Sequence, residues 1–171
     1  MFTIGHSNRS IEDFIQLLQV HGVESLVDIR TIPKSRHNPQ FNLDALKQSL
    51  QLVQIRHLYI KSLGGLRHAA RNSVNLGWRN ASFRGFADYM ATPEFEQGLQ
   101  ELMRIAEDKP TTIMCAEAVP WRCHRSLVAD ALIKQGWVVR DIMNRTKAPR
   151  HRMTPFLKIR NGRLIYPEPQ A

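Results

Sequence analysis

The chain has only two cysteines, no apolar run that approaches a membrane span, and no acidic residue anywhere between Arg56 and Ala87. A span needs about 20 consecutive apolar residues, so a transmembrane helix is excluded. The opening "MFTIGHSN" has neither the basic start nor the long apolar stretch of a secretion signal, and a soluble, cytoplasmic protein is expected. In that compartment thiols stay reduced, so Cys115 and Cys123 are read as free thiols rather than as a structural bridge. Internal repeats and low-complexity linkers are absent too. A repeat array or a string of tethered units is therefore not expected. What is present, 171 residues of which 43% are hydrophobic, suffices for one domain with a real core.

The shortage of acids has a direction. Twenty-four Lys and Arg against 15 Asp and Glu give a formal charge of +9, and a field of that sign favours polyanions. It is concentrated in two segments. Arg56, Lys61, Arg67, Arg71, Arg79 and Arg84 meet no acid before Asp88, and eight Lys/Arg between Arg140 and Arg163 face only Asp141. The expected partner is a phosphate-bearing small molecule or a nucleic acid, and not a membrane.

Short apolar runs alternate with amphipathic ones. Phe2 to Ile4, "ESLVDIR", "HLYIK", "KPTTIMC" and "WVVRDIM" read as strands. Ser10 with Asp13 three residues on opens a first helix that Gly22 closes. A second helix is expected from about Leu43 to Leu52, and Thr92, Pro93 and Glu94 start another with a capping hydroxyl and an early proline. Leu127, Val128, Ala131 and Leu132 define a last helical face before Gly136. "TIPKSRHNPQFN" and the segment from Ser62 to Phe83 read as loops, and "FLKIRNGRLIYPEP" as a hairpin turned by Asn-Gly. Phe83 and Phe86 around Arg84 are read as a hydrophobic staple at a helix start. Strands alternating with helices imply a mainly parallel sheet with helices on both faces. The expected architecture is a single α/β domain over residues 1–171, its core at about 3–144, followed by a basic extension with a C-terminal β-hairpin at 145–171.

In such sheets ligands sit beyond the carboxyl ends of the strands, where every strand-to-helix loop opens. That rule gathers His6 and Ser7 after the first strand, Asp28 and Arg30 at the second, and Gly64, Gly65 and Arg67 after the third. After the fourth it adds Cys115, Glu117, Cys123, His124 and Arg125. The fourth loop, "CAEAVPWRCHRS", is the richest. Arg122, His124 and Arg125 are expected at a helix N-terminus, where the dipole disfavours each exposed cation by about 0.3 to 1 kcal/mol. A bound anion, or the Glu117 carboxylate folded back, is expected to offset that.

Cys123, in that first turn beside His124 and Arg125, is the nucleophile candidate, because such surroundings lower a thiol pKa. Cys115, at the end of an apolar strand, reads as buried packing. Glu117, His6 and His124 are the proton-moving candidates, and Ser7, Asp28, Arg30, Arg67 and Arg125 the substrate-binding ones. Asp28 and Arg30 could equally pair with each other. A zinc reading competes: Cys115, Cys123, His124 and His6 would form a Cys2His2 set with Glu117 as spare ligand or base. Against it stands the spacing, since adjacent residues seldom both reach one ion.

The blocks "TIGHSNRS", "VDIR", "PKSRHNPQF", "LGGLR", "FRGFADYM" and "CAEAVPWRCHRS" together resemble the bacterial proteins grouped as domain of unknown function 488. The likeness runs from about Thr3 to Asn144. It implies a compact cytosolic α/β domain with a shared polar site at His6, Ser7, Asp28, Arg30, Cys115, Glu117, Cys123, His124 and Arg125, and supplies no reaction. The expectation is an enzyme acting on a phosphate-bearing substrate, a nucleotide or nucleic acid, at a Cys/His/Glu/Arg site. The alternatives are a nucleic-acid-binding protein without catalysis and a metalloprotein with a Cys/His site.

Overall fold

The computed structural model describes residues 1–169. In chain order its elements are β1 (Phe2–Gly5), α1 (Ile11–Val20), β2 (Ser25–Asp28), α2 (Leu43–Leu52), β3 (Arg56–Tyr59) and α3 (Ala81–Tyr89). They continue with α4 (Pro93–Asp108), β4 (Thr111–Cys115), α5 (Arg125–Lys134), β5 (Arg140–Asp141), β6 (Lys158–Arg160) and β7 (Arg163–Ile165). Strands β1 to β5 form one sheet in the order β3-β2-β4-β1-β5, every pair parallel. The last two strands form a separate antiparallel hairpin.

Local chemistry explains the ends of these elements. The hydroxyl of Ser10 accepts the Asp13 amide at 3.1 Å, and Thr92 does the same for Phe95 at 3.4 Å. Such caps contribute about 1 kcal/mol each by pairing amides the helix cannot. Asn161 and Gly162 both hold positive φ, which the tight turn between β6 and β7 requires.

Alternation along the central strands divides the core in two. Leu26 and Met114 face α1 and α2 with Phe14, Leu18, Phe41, Leu46 and Leu50. Val27 and Ile113 face the opposite way, toward α3, α4 and α5 with Phe86, Phe95, Leu102 and Leu127. The chain thus leaves β1 for one face and the adjacent β4 for the other. Between those two strands the loops diverge, and a crevice opens at their carboxyl ends.

Two boundaries differ from the pattern read in the sequence. The fifth strand keeps only Arg140–Asp141 of "WVVRDIM", because it pairs with β1 at Phe2 and Thr3 alone. The polar stretch after β3 does not stay a loop to Phe83: Asn80 accepts the amides of Ser82 and Phe83 and starts α3 there. The C-terminal extension is packed and not a tail. Tyr166 is fully buried, its amide donates to Asn75 Oδ1 at 2.8 Å, and Trp78 stacks among Phe83, Phe156 and Tyr166.

Candidate functional site

Three side chains from one loop meet at the carboxyl end of β4. Cys115 closes the strand, and a short 3-10 turn at Pro120–Arg122 returns the chain to Cys123 and His124 at the head of α5. The Nδ1 of His124 lies 3.8 Å from Cys115 Sγ and 3.7 Å from Cys123 Sγ. Neighbouring residues reach one point because the backbone changes region between them. Cys123 is extended, at φ −140° and ψ 144°, whereas His124 is helical, at φ −58° and ψ −16°. The Cys123 sulfur also accepts the Arg125 amide at 3.5 Å, taking a free helix N–H.

The orientation of His124 is set from three sides. Its Nε2 lies 3.1 Å from the Ile29 carbonyl, which only accepts, so Nε2 carries a proton and, in the neutral form of the ring, the lone pair lies at Nδ1. Phe86 meets the ring edge-on at 5.0 Å between centroids. Gly65 lies so near that a Cβ there would overlap the ring at Nδ1.

The two thiols are opposite in character. The hydrogen bond to Cys123 and then burial hold the Cys115 thiol well above its ordinary pKa. Burial alone would also raise Cys123. A hydrogen bond from Cys115, the Nδ1–H and charge of His124 in its protonated form, and the charge of Arg125 outweigh it and bring Cys123 well below the usual thiol range.

The trio lines a cavity of about 410 Å³, together with Arg30, Thr31, Ile32, Gly65, Leu66, Asn80, Ser82, Phe83, Ala116, Glu117 and Arg122. A second hollow of about 430 Å³ adjoins it, with His6, Ser7, Lys34, Ser35, Asn38 and Ala118 in its wall. Arg30, Ile32, Ala116 and Glu117 belong to both. The loops around them are tied down: Thr31 Oγ1 accepts the Leu66 amide at 3.1 Å, and Tyr59 donates to the Thr31 carbonyl at 3.1 Å.

The expected residues are gathered on this edge but not all aimed at a ligand. Arg125, foreseen as an anion holder, is 1% exposed and lines neither hollow. Its guanidinium donates to the backbone carbonyls of Glu117 at 2.6 Å and Ala118 at 3.1 Å and so clamps the loop. Among the described residues the carboxylate of Glu117 makes no ion pair with the cations, contrary to expectation; the main chain of that residue receives Arg125, and the residue lines the cavity. Gly5 makes room for this loop, since a Cβ there would collide with the Glu117 carbonyl.

Asp28, foreseen as a substrate-binding group, is fully buried and receives Arg30 Nε at 2.9 Å and Nη2 at 2.6 Å. Arg30 also donates to the Phe41 carbonyl at 2.7 Å and from Nη1 to His6 Nε2 at 3.3 Å. Four of its five N–H groups are therefore used internally, and one on Nη1 remains. Arg67 lies 3.6 Å above the Tyr89 ring and donates to the Gly64 carbonyl, bracing the glycine loop outside the cavity. His6 is not part of the cysteine cluster. Its Nδ1 donates to the Ser7 carbonyl at 2.7 Å, Nε2 accepts from Arg30, and the ring stacks on Phe41. Burial, with Arg30 nearby, lowers its pKa and keeps it neutral. Ser7 holds φ 52° in the wall of the second hollow.

Gly65 and Phe86 carried no chemistry of their own in the sequence, yet they position His124 from within "LGGLR" and "FRGFADYM". Lys34, a phosphate-contact candidate from "PKSR", lines the second hollow. A family model with the description "Domain of unknown function DUF488" matches residues 10–132. No curated protein matches the chain, and no solved structure does.

Proposed function

The chain belongs to the family described as domain of unknown function DUF488, and we propose that it is an enzyme acting on a phosphate-bearing substrate of nucleotide size. Cys115, Cys123 and His124 are its reacting centre, and Glu117 moves the proton. One observation carries this reading: Glu117 and Arg30 line both hollows, so one extended molecule reaches the trio on one side and Lys34 on the other.

The two halves of the edge favour different chemistry. Around the trio stand Ile32, Leu66 and Phe83, the first two 63% and 64% exposed, which suits an apolar or flat body. Around the second hollow stand Lys34, Ser7, Ser35, Asn38 and the remaining N–H of Arg30, which suits an anion. A nucleotide has both parts. His6 acts here through Arg30, as a positioning residue: its neutral Nε2 accepts one guanidinium N–H and fixes where the free one points.

The test is a panel of nucleoside mono- and diphosphates and simple phosphate esters, followed by calorimetry for binding and chromatography for turnover. At least one compound is expected to bind and be converted. Glu117→Gln should retain binding and lose about 10²- to 10⁴-fold in turnover, the range of a general acid or base. Lys34→Gln should weaken binding by about 10-fold, the worth of one charged hydrogen bond. If no member of the panel binds, while an oligonucleotide binds with a steep salt dependence that Lys34→Gln leaves unchanged, the enzyme reading is overturned in favour of a non-catalytic nucleic-acid protein.

A further inference from the structure

We infer that Cys115, Cys123 and His124 hold one divalent ion of the zinc class, with a coordination position left open toward the cavity. The role of that open position rests on the enzymatic reading above; the binding of the ion does not.

The two sulfurs and His124 Nδ1 all lie within 4.8 Å of one another. The Nδ1 lone pair is single and can receive one thiol proton, yet two sulfurs converge on it at 3.8 and 3.7 Å. A tetrahedral zinc gives this convergence a single centre. With Zn–S bonds of about 2.3 Å and Zn–N bonds of about 2.0 to 2.1 Å, the S···N edge of the tetrahedron is about 3.6 Å. Both observed separations lie near that edge, so an ion could enter with little movement of the ligands.

The surroundings match those of a metal-bound histidine. Such imidazoles donate their other N–H to a carbonyl or carboxylate, which fixes the tautomer and strengthens the ligand. The Ile29 carbonyl, just past the end of β2, accepts that N–H at 3.1 Å, while Phe86 and Gly65 restrict the ring. Two thiolates and an imidazole are soft and intermediate donors, which select zinc over magnesium or calcium. Three protein ligands, rather than four, is the number that leaves room for water or substrate. All three residues line the same cavity, so the fourth position has somewhere to face.

Glu117 is not among the three donors, but it follows the first of them by two residues and lines the same cavity. Bound water on such an ion ionises near pH 7. The Glu117 carboxylate, in the wall of the same cavity, would accept that proton. The clamp of Arg125 on the carbonyls of residues 117 and 118 then has a purpose beyond the fold, since it sets where that carboxylate stands.

The experiment uses the full chain, expressed without an affinity tag and purified without chelator. Mass spectrometry of the metal content should show about one zinc per chain. After removal of the zinc, titration with cobalt(II) should produce a near-ultraviolet sulfur-to-cobalt charge-transfer band and the visible bands of a tetrahedral ion, saturating at one equivalent. Cys115→Ser, Cys123→Ser and His124→Ala should each weaken cobalt binding at least about 100-fold, the scale of losing a ligand or its support. His6→Ala and Glu117→Gln should bind cobalt as the parent does. A parent protein with no stoichiometric metal, no cobalt–thiolate band and two freely titrating thiols would overturn the inference, even if turnover of a phosphate compound were found. Full cobalt binding with no turnover on any substrate would instead remove the enzymatic reading and leave the ion site standing.

Discussion

Two of the buried clusters of ionisable side chains in the fold are built on opposite principles. At the carboxyl edge, Cys115, Cys123 and His124 direct their free donors at one point beside a cavity. On the α5 side, His151 lies between two carboxylates, 2.8 Å from Asp141 and 3.6 Å from Asp130. There the carboxylates are paired within the protein: Thr3 donates to Asp141 at 2.7 Å, and Thr154 and Tyr166 donate to Asp130 at 2.7 and 3.0 Å. Burial alone would lower the His151 pKa, but the two carboxylates outweigh it and raise it to about 9.

The contrast separates two uses of the same residue types. The His151 cluster ties β1, β5 and α5 to the C-terminal extension and, although His151 Nε2 has no hydrogen bond of its own, lines neither hollow. The Cys115 cluster ties down its ring and its loop, yet keeps three electron-donating atoms turned toward a space. A perturbed pKa occurs in both, so it does not distinguish function from architecture. Whether the donors end on protein or on a cavity does.

The largest effect that would break this comparison is on stability. His151→Leu leaves Asp130 and Asp141 buried without their cation, and urea unfolding should show a loss of about 3 to 5 kcal/mol. A loss below about 1 kcal/mol would mean the cluster is not the lock described. Next comes its pH dependence. The folded pKa of His151 is raised above the unfolded value, so its contribution is complete below about pH 6.5 and is lost as pH rises through about 9. That loss should be on the order of 3 kcal/mol, and the alkaline slope should vanish in His151→Leu.

The remaining tests sharpen the other side. Gly65→Ala should push the His124 ring aside and weaken cobalt(II) binding by about 10-fold or more, the scale of disturbing a ligand's support. Its effect on unfolding should be much smaller than that of His151→Leu. Lys34→Gln, on an exposed side chain, should change stability by no more than about 0.5 kcal/mol. Its effect should be confined to phosphate binding, and an equal loss for uncharged analogues would remove Lys34 from the anion's surroundings.

Much of this architecture was legible in the sequence because it depends on local patterns. Buried strands showed as apolar runs, and Ser10, Thr92, Gly22 and the Asn-Gly turn marked ends by their own chemistry. The rule that loops open on one sheet edge also brought the right segments together. It did not say which way each side chain would turn. The Asp28–Arg30 pair stood among the readings of the sequence, but Arg125 binds main-chain carbonyls because the backbone passes within reach, and composition holds no trace of that path. Cys123 and His124 stood in one candidate set, but their adjacency counted against it, and the change of backbone region that lets them meet leaves no mark in the sequence. The His151 lock joins residues 130, 141 and 151 from α5, β5 and the extension, at no spacing that a helix or strand would produce.

The most direct test of the central claim is the X-ray absorption spectrum at the zinc edge of the protein reconstituted with one equivalent of zinc. Two sulfur neighbours at about 2.3 Å and lighter neighbours at about 2.0 to 2.1 Å are predicted. A shell of oxygen and nitrogen alone would contradict it, and the edge of the sheet would then hold two thiols that no ion brings together.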